Sequence, residues 1–347
     1  MEHNRPSSYA VDQYGLSPHQ SLYLQAALGQ GDVALSAWRS WRRVANLDQL
    51  EPGVFQLLPL LSDNLQQLGV TDPWLALCKG IHRRTWYKNQ LIFKQASALL
   101  AAFQAAGIDP LLLLKDVPIA LLYYREPGLR LVNTLDLLTP ATQLSAAREL
   151  LRIQGWMPKS TRRHLFTQQD FVMHYTQKFV QNDGLACILH WSTLAPNYAP
   201  AFATVPITVK EHMTQTLSPT DQLLHLCIAG VGRPKPAVSL QWIPDALMVL
   251  RTAASVIDWT HLLQQATRQA LNLTVSQALT YLHTTFDAAI PSVVLQQLAQ
   301  ASVQRFEQQE AWAYRHWSIW GKAQAFWAGY QRRKWLLQQA GPATETE

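Results

Sequence analysis

The chain has 347 residues, a length that suggests two domains or one domain with a large appendage. Hydrophobic residue types make up 48% and charged types 15%. This combination excludes an intrinsically disordered chain, which has low hydrophobicity and high charge. No apolar run approaches the roughly 20 residues that span a bilayer, and the N-terminal sequence lacks a signal-peptide pattern. We therefore expect a cytoplasmic protein without a transmembrane segment.

The formal net charge of +6 is unevenly distributed. Basic residues form clusters at 39–43, 82–84, 162–163 and 332–334. Such clusters could attract a nucleotide, RNA or anionic lipid, but we favour a solvated surface that carries its few charges in groups. A nucleic acid is thus the less favoured partner. The three cysteines have no CxxC spacing, so we expect buried, reduced thiols rather than a disulfide or metal site.

The first 106 residues are predicted to be helical after a flexible N-terminus, residues 1–17. Apolar residues recur at helical spacing over residues 22–28, 33–44, 54–68 and 74–103. Gly69 and Gly107 end the last two of these segments, as glycine commonly does. Residues 18–106 therefore form a predicted N-terminal helical region.

The pattern changes at Gly107 to that of a small α/β unit. Strands are predicted at residues 111–114, 131–139, 171–176 and 185–191, and helices at 117–124 and 140–154. Asn182-Asp183-Gly184 is the strongest hairpin signal in the chain. A proline-containing linker is expected after about residue 195, and we place the α/β core at residues 107–210.

Residues 211–347 form a predicted C-terminal helical domain. Ser218-Pro219 begins a helix, since serine caps the end and proline suits the first turn. Further helices are expected at residues 242–252, 259–270 and 275–287, followed by one long helical segment over 293–339. The predicted fold class is α+β and mostly helical, with a small mixed-sheet core between N-terminal and C-terminal helical regions.

Common catalytic signatures are absent: the sequence has no Walker phosphate loop, GxGxxG, HExxH or GxSxG motif. The order of several weaker motifs nevertheless resembles a known family. They are WYKNQ (86–90), GIDPLLLLKD (107–116), GLRLVNTLDLLT (128–139), QGWMP (154–158), ILHW (188–191), SPTDQLLHLC (218–227), LQWIPDALMVL (240–250) and IDWTHLL (257–263). This series is similar to the uncharacterised nucleotidyltransferase family of the DNA polymerase beta-like superfamily. The resemblance implies a nucleotidyltransferase-like core and transfer of a nucleotidyl group from Mg-NTP to an unknown acceptor.

The same resemblance implies a site with Mg²⁺ as cofactor, held by three carboxylates on adjacent strands. Residues i and i+2 of a strand face the same side and can share a metal pair. Asp136 matches the second of these acids and is the expected catalytic and metal-binding residue. Thr134 and Ile188 stand where the other two acids are expected, and the family's Lys-Gly step reads Lys115-Asp116.

Two interpretations follow from these departures. In the first, Asp136 and Asp116 still bind the metal, while Lys115, Arg130, Asp116 and Thr134 contact the nucleotide. In the second, which we favour, the chain is a non-catalytic pseudoenzyme that serves as a regulatory or protein-interaction module. Asp136 could instead pair with Arg130 or cap a turn, and Lys115 could be a solvated strand end. His190 is expected to be hydrogen-bonded core.

A stripe of aromatic residues follows one side of the last predicted helix. At 100° per residue, it comprises Trp312, Ile319, Trp320, Phe326, Trp327 and Tyr330. We expect this stripe to pack onto the helical domain. The alternative is a helix that binds a protein partner or a membrane surface, since aromatic and basic faces suit both. The second interpretation of the site would use this C-terminal aromatic helix.

Overall fold

A computed structural model describes residues 16–46, 50–51, 53–109, 111–159, 176–182, 184–191, 202–231, 239–316 and 319–339. These residues form two compact units, each assembled from three stretches of sequence. The first unit draws on Met1–Ile81, Leu224–Arg251 and Leu263–Tyr330, and the second on His82–Leu223, Thr252–Leu262 and Gln331–Glu347. The four-segment division predicted from sequence stays a prediction.

Helices dominate both ends of the chain, as expected. The N-terminal helices are α1 (Pro18–Leu28), α2 (Gly31–Val44), α3 (Leu58–Gln67) and α4 (Pro73–Ala105), followed by α5 (Asp116–Leu122) and α6 (Leu144–Ile153). The C-terminal helices are α7 (Pro219–Val231), α8 (Trp242–Thr252), α9 (Trp259–Arg268), α10 (Asn272–Phe286), α11 (Ser292–Gln300), α12 (Arg305–Arg315) and α13 (Ile319–Gln339). None of the helices within the described ranges is long and apolar enough to cross a membrane.

The second unit contains a seven-stranded mixed sheet. Its strands are β1 (Leu112–Leu114), β2 (Thr134–Leu138), β3 (Met157–Pro158), β4 (Thr176–Val180), β5 (Ala186–His190), β6 (Thr204–Val209) and β7 (His212–Leu217), in the order β3-β4-β5-β2-β1-β7-β6. Strand β2 runs parallel to β5 and antiparallel to β1. The α+β, mostly helical fold class predicted from sequence is therefore confirmed.

The predicted linker before Ser218 is wrong over residues 204–217, which form the antiparallel hairpin β6–β7. Pro206 is accommodated because β6 is the edge strand, where a missing backbone N–H does not break a ladder. The two-residue turn contains Lys210 at φ 55° instead of the glycine or asparagine that usually signals such a turn. Of the predicted strand at 171–176, residues 171–175 lie outside the described residues.

The predicted long helix over 293–339 is also wrong, because it is divided into α11, α12 and α13. At the start of α12, the Glu307 carboxylate accepts a hydrogen bond from the backbone N–H of Gln304 at 2.9 Å. The aromatic stripe does not pack as expected: Trp320 is 81% exposed and Phe326 71% exposed. Helix α13 instead buries Ala328 and Leu336.

Leucine alternation along the strands divides the sheet of the second unit into two faces. Leu113, Leu135, Leu137 and Leu189 enter the main hydrophobic core with residues of α4 and α6. Leu112, Leu114 and Leu217 form a small cluster on the opposite face. The three cysteines, Cys78, Cys187 and Cys227, are buried and free, as expected.

Candidate functional site

Strands β2 and β5 place the predicted site residues on the face opposite the main core. Since Leu135 and Leu137 point into the core, Thr134 and Asp136 share the other face. The parallel register pairs Asp136 with Ile188, so Ile188 is the neighbour of Asp136 on the adjacent strand. An isoleucine therefore stands beside Asp136 where a second carboxylate would be needed to share a metal.

Asp136 is the centre of a buried polar cluster. Its carboxylate is 0% exposed. Oδ1 accepts hydrogen bonds from Lys115 Nζ and His190 Nε2, each at 2.7 Å, and Oδ2 accepts one from Thr134 Oγ1 at 2.6 Å. Burial disfavours the charged carboxylate, but the hydrogen bond from His190 and the charge of Lys115 outweigh it and lower the pKa of Asp136 to about 2. Asp136 is thus an ionised acid that accepts hydrogen bonds from three protein side chains.

Lys115 adopts a backbone conformation that is rare for a side-chain-bearing residue. It lies between β1 and α5 with φ 57° and ψ −116°. This region of conformational space favours glycine, and a residue held there is strained by about 1–3 kcal/mol. In this conformation the Lys115 side chain forms its ion pair with Asp136.

The strain at Lys115 can be separated from its ion pair by comparing two substitutions. Lys115→Gly and Lys115→Ala both remove the ammonium group, but only glycine adopts positive φ freely. We expect Lys115→Gly to be more stable than Lys115→Ala by about 1 kcal/mol in urea unfolding. Equal stability of the two variants would contradict the strained conformation.

A second ion pair joins α5 to the segment that leads into β2. Arg130 is 2% exposed, and its Nη2 donates to Asp116 Oδ1 at 2.8 Å. Oδ2 of Asp116 accepts from the backbone N–H groups of Asn133 at 2.9 Å and Thr134 at 3.3 Å. Asp116 therefore fixes the start of β2, the strand that presents Thr134 and Asp136.

Asn89 on α4 also holds the segment that leads into β2. Its Nδ2 donates to the carbonyl oxygens of Pro127 and Arg130, both at 2.6 Å. Its Oδ1 accepts from Val132 N at 3.0 Å. This explains why an asparagine stands within the WYKNQ motif, although sequence reasoning assigned it no role.

The predicted site residues thus fall into two hydrogen-bonded sets. Lys115, Thr134 and Asp136 form one, and Asp116 and Arg130 form the other. The alternative in which Asp136 pairs with Arg130 gives way to two ion pairs, Lys115–Asp136 and Arg130–Asp116, so Lys115 is no simple solvated strand end. His190 is hydrogen-bonded core, as expected, but it belongs to the Asp136 cluster.

The donor set around Asp136 does not fit a pair of magnesium ions. Within the part of the chain that the structure describes, no three His, Cys, Asp or Glu side chains come together as a metal site. Both carboxylates of the predicted pair already accept protein hydrogen bonds on each oxygen. A hard dication prefers several oxygen ligands and would have to displace the Lys115 ammonium to reach Asp136.

Lys178 is a residue of this face that sequence reasoning missed. The antiparallel register of β4 and β5 pairs Lys178 with Ile188, so the two side chains point to the same side. Lys178 is exposed, and the Lys115 side chain is 35% exposed. Only the pairing of β4 with β5 places Lys178 on this face. The sequence gives no sign of that pairing, because residues 160–175 separate β4 from the predicted motifs.

The SPTD motif at the start of α7 forms a separate polar cluster. Asp221 is 0% exposed and accepts hydrogen bonds from Ser218 Oγ at 2.9 Å, Ala203 N at 3.0 Å and His261 Nε2 at 3.2 Å. Its carboxylate ties the helix cap to β6 and α9. This motif serves the fold of the second unit rather than the site on β2.

One family profile covers the sequence motifs quoted above. The profile of a family described as uncharacterised nucleotidyltransferase matches residues 54–287. No curated protein matches the chain. Among solved structures, an antigenic nucleotidyltransferase-like protein from Paracoccidioides brasiliensis is similar at 16% identity and a TM-score of 0.40, over 59% of this chain and 91% of that one.

Proposed function

We propose that this chain, which belongs to the uncharacterised nucleotidyltransferase family, is a non-catalytic member that binds nucleotide phosphates without metal. One observation carries the proposal: the Lys115 ammonium lies 2.7 Å from the buried Asp136 carboxylate. In this proposal, the ammonium takes the place of a metal ion as the counter-charge of Asp136.

Loss of catalysis follows from the charges that metal-dependent transfer requires. Two ions bridged by carboxylates neutralise the phosphate oxygens and activate the acceptor. Here Thr134 and Ile188 supply no negative charge, and Asp136 is engaged by three donors. In this proposal the Asp136 carboxylate, held by these donors, does not activate an acceptor.

Phosphate binding would use the two lysines of this face. Lys115 and Lys178 are flexible point charges that suit phosphate oxygens without bidentate geometry. Arg130 is 2% exposed and bound to Asp116, so in this proposal it positions β2 and does not touch the ligand. Thr134 and Asp136 orient Lys115.

The proposal predicts nucleotide binding that is indifferent to magnesium. Each of ATP, CTP, GTP and UTP would be titrated against the full chain by calorimetry, with Mg²⁺ and with EDTA. We expect at least one nucleotide to bind equally well in both conditions, and Lys178→Ala to weaken it at least fivefold by removing a phosphate contact. Arg152→Ala, which removes an exposed cation of α6, the helix on the main-core face of the sheet, is the matched control.

Three results would contradict the proposal, the third being the absence of binding by all four nucleotides. The first is binding that requires Mg²⁺, which would restore the metal-dependent interpretation through Asp136 and Asp116. The second is Mg²⁺-dependent release of pyrophosphate by the wild-type chain that disappears in Asp136→Asn. The alternative function, protein interaction through the C-terminal aromatic helix without any nucleotide, predicts no calorimetric signal with any of the four.

A further inference from the structure

Helix α4 carries a basic face that the site does not use. Between Pro73 and Ala105, its sequence contains no Asp or Glu. Within the second unit, its four Lys and Arg residues are all exposed: Arg83, Arg84, Lys88 and Lys94. None of the four has an ion pair or hydrogen bond with any other described residue. Their charges are therefore available to an external anion.

These cations share one side of the helix with two large side chains. At 100° per residue, the four cations, Tyr87 and Leu91 fall within about 140° of the helix circumference. Tyr87 is 61% exposed and Leu91 48% exposed. We define these six residues as the α4 basic face. The opposite side of the helix carries Asn89, so this face lies on the helix that fixes the site segment.

We propose that the α4 basic face binds single-stranded nucleic acid. Positive grooves that hold such strands combine backbone-contacting cations with aromatic rings on which bases stack. Here Tyr87 lies between Arg84 and Lys88 in sequence, with its ring exposed among cations. From Arg84 to Lys94 the helix rises about 15 Å, which is about four stacked nucleotides at 3.4 Å each. Four nucleotides is the lower limit of known single-strand site sizes.

The arrangement favours a nucleic acid over a membrane. A helix that lies on a bilayer separates its apolar side from its charged side. On the α4 basic face, Tyr87 and Leu91 are interspersed with Arg84, Lys88 and Lys94 along the helix. Burial of the two apolar side chains in lipid would draw these cations below the headgroups. A duplex presents no unpaired base for Tyr87 to stack on.

The test is binding of fluorescein-labelled single-stranded RNA and DNA of mixed sequence to the full chain, followed by anisotropy at several salt concentrations. We expect Arg84→Gln with Lys88→Gln to weaken binding at least tenfold at low salt. The slope of log K against log salt should become shallower by about 1.4, at about 0.7 per lost phosphate contact. Tyr87→Ala should weaken binding at least fivefold and leave this slope unchanged, because stacking releases no counterions.

The matched control removes two exposed cations elsewhere in the second unit, Arg152→Gln with Lys159→Gln. Circular dichroism and the unfolding midpoint verify that each variant is folded. The proposal is overturned if neither strand type binds, if the control weakens binding as much as the α4 variant, or if Tyr87→Ala has no effect. Equal competition by polyglutamate, duplex DNA or anionic phospholipid vesicles would also overturn it. The RNA and DNA arms identify which strand is preferred, and this binding is independent of the Lys115 site.

Discussion

Replacing Asp136 with asparagine is expected to destabilise the second unit by about 2 kcal/mol at pH 7. The amide keeps the shape of the side chain but removes the charge that Lys115 and His190 face at 2.7 Å. The pKa of Asp136 is lowered from 3.8 to about 2, and a shift of nearly two units corresponds to roughly 2 kcal/mol. Lys115 regains water in the variant because its side chain is 35% exposed, which limits the loss.

The pH dependence of this difference identifies its cause. A carboxyl whose folded pKa is lowered stabilises the fold above its unfolded pKa, and the stabilisation is lost as the pH falls through the folded value. The gap between wild type and Asp136→Asn should therefore be full above about pH 5 and close between about pH 4 and pH 2. Urea unfolding across this range measures it. Asp109→Asn, at an exposed position of the same unit, should stay within about 0.5 kcal/mol throughout. A gap that persists at pH 2 would mean that packing, not charge, is lost.

Sequence periodicity predicted the helices well because each has a continuous buried side. Helix α8 begins and ends where the spacing placed it, at Trp242 and Thr252. The failures share another origin: the β6–β7 hairpin and the breaks around α12 depend on single residues in unusual roles. Lys210 occupies a turn at positive φ, and α12 begins after Gln304, where serine or threonine would be the usual cap. Local sequence preference gives little warning of either.

Strand alternation was sufficient to predict which residues of β2 share the face of the site. Alternation places Thr134 and Asp136 on one face, and the resemblance directed attention to Lys115 and Ile188. The partner of each charge was not predictable, because it depends on register and backbone direction. Lys115 reaches Asp136 across 21 residues through a strained φ of 57°, while Arg130 turns to Asp116. Counting the missing acids therefore could not reveal that the Lys115 ammonium balances the charge of Asp136, the acid that remains.

The larger effect on stability is expected at Arg130. Arg130→Met should destabilise the second unit by about 3 kcal/mol, because it removes the buried partner of an ion pair whose carboxylate is 18% exposed. The guanidinium also donates to the carbonyl oxygens of Asp116 and Leu131, each at 3.3 Å, and methionine removes both of these hydrogen bonds. Arg130→Lys should recover only part of the loss, since one ammonium cannot reproduce three directed contacts.

The exposed pair Arg152–Glu149 provides the control for Arg130. Its atoms are 3.8 Å apart and its side chains 60% and 63% exposed, so Arg152→Met should change stability by less than about 1 kcal/mol. Adding Asp116→Asn to Arg130→Met should restore part of the stability, because the uncompensated carboxylate is then gone. If Arg130→Met behaves like Arg152→Met, the pair does not hold the segment before β2. If it behaves as expected, the Arg130–Asp116 ion pair acts by fixing Thr134 through Asp116, and Thr134 in turn orients Asp136 toward Lys115.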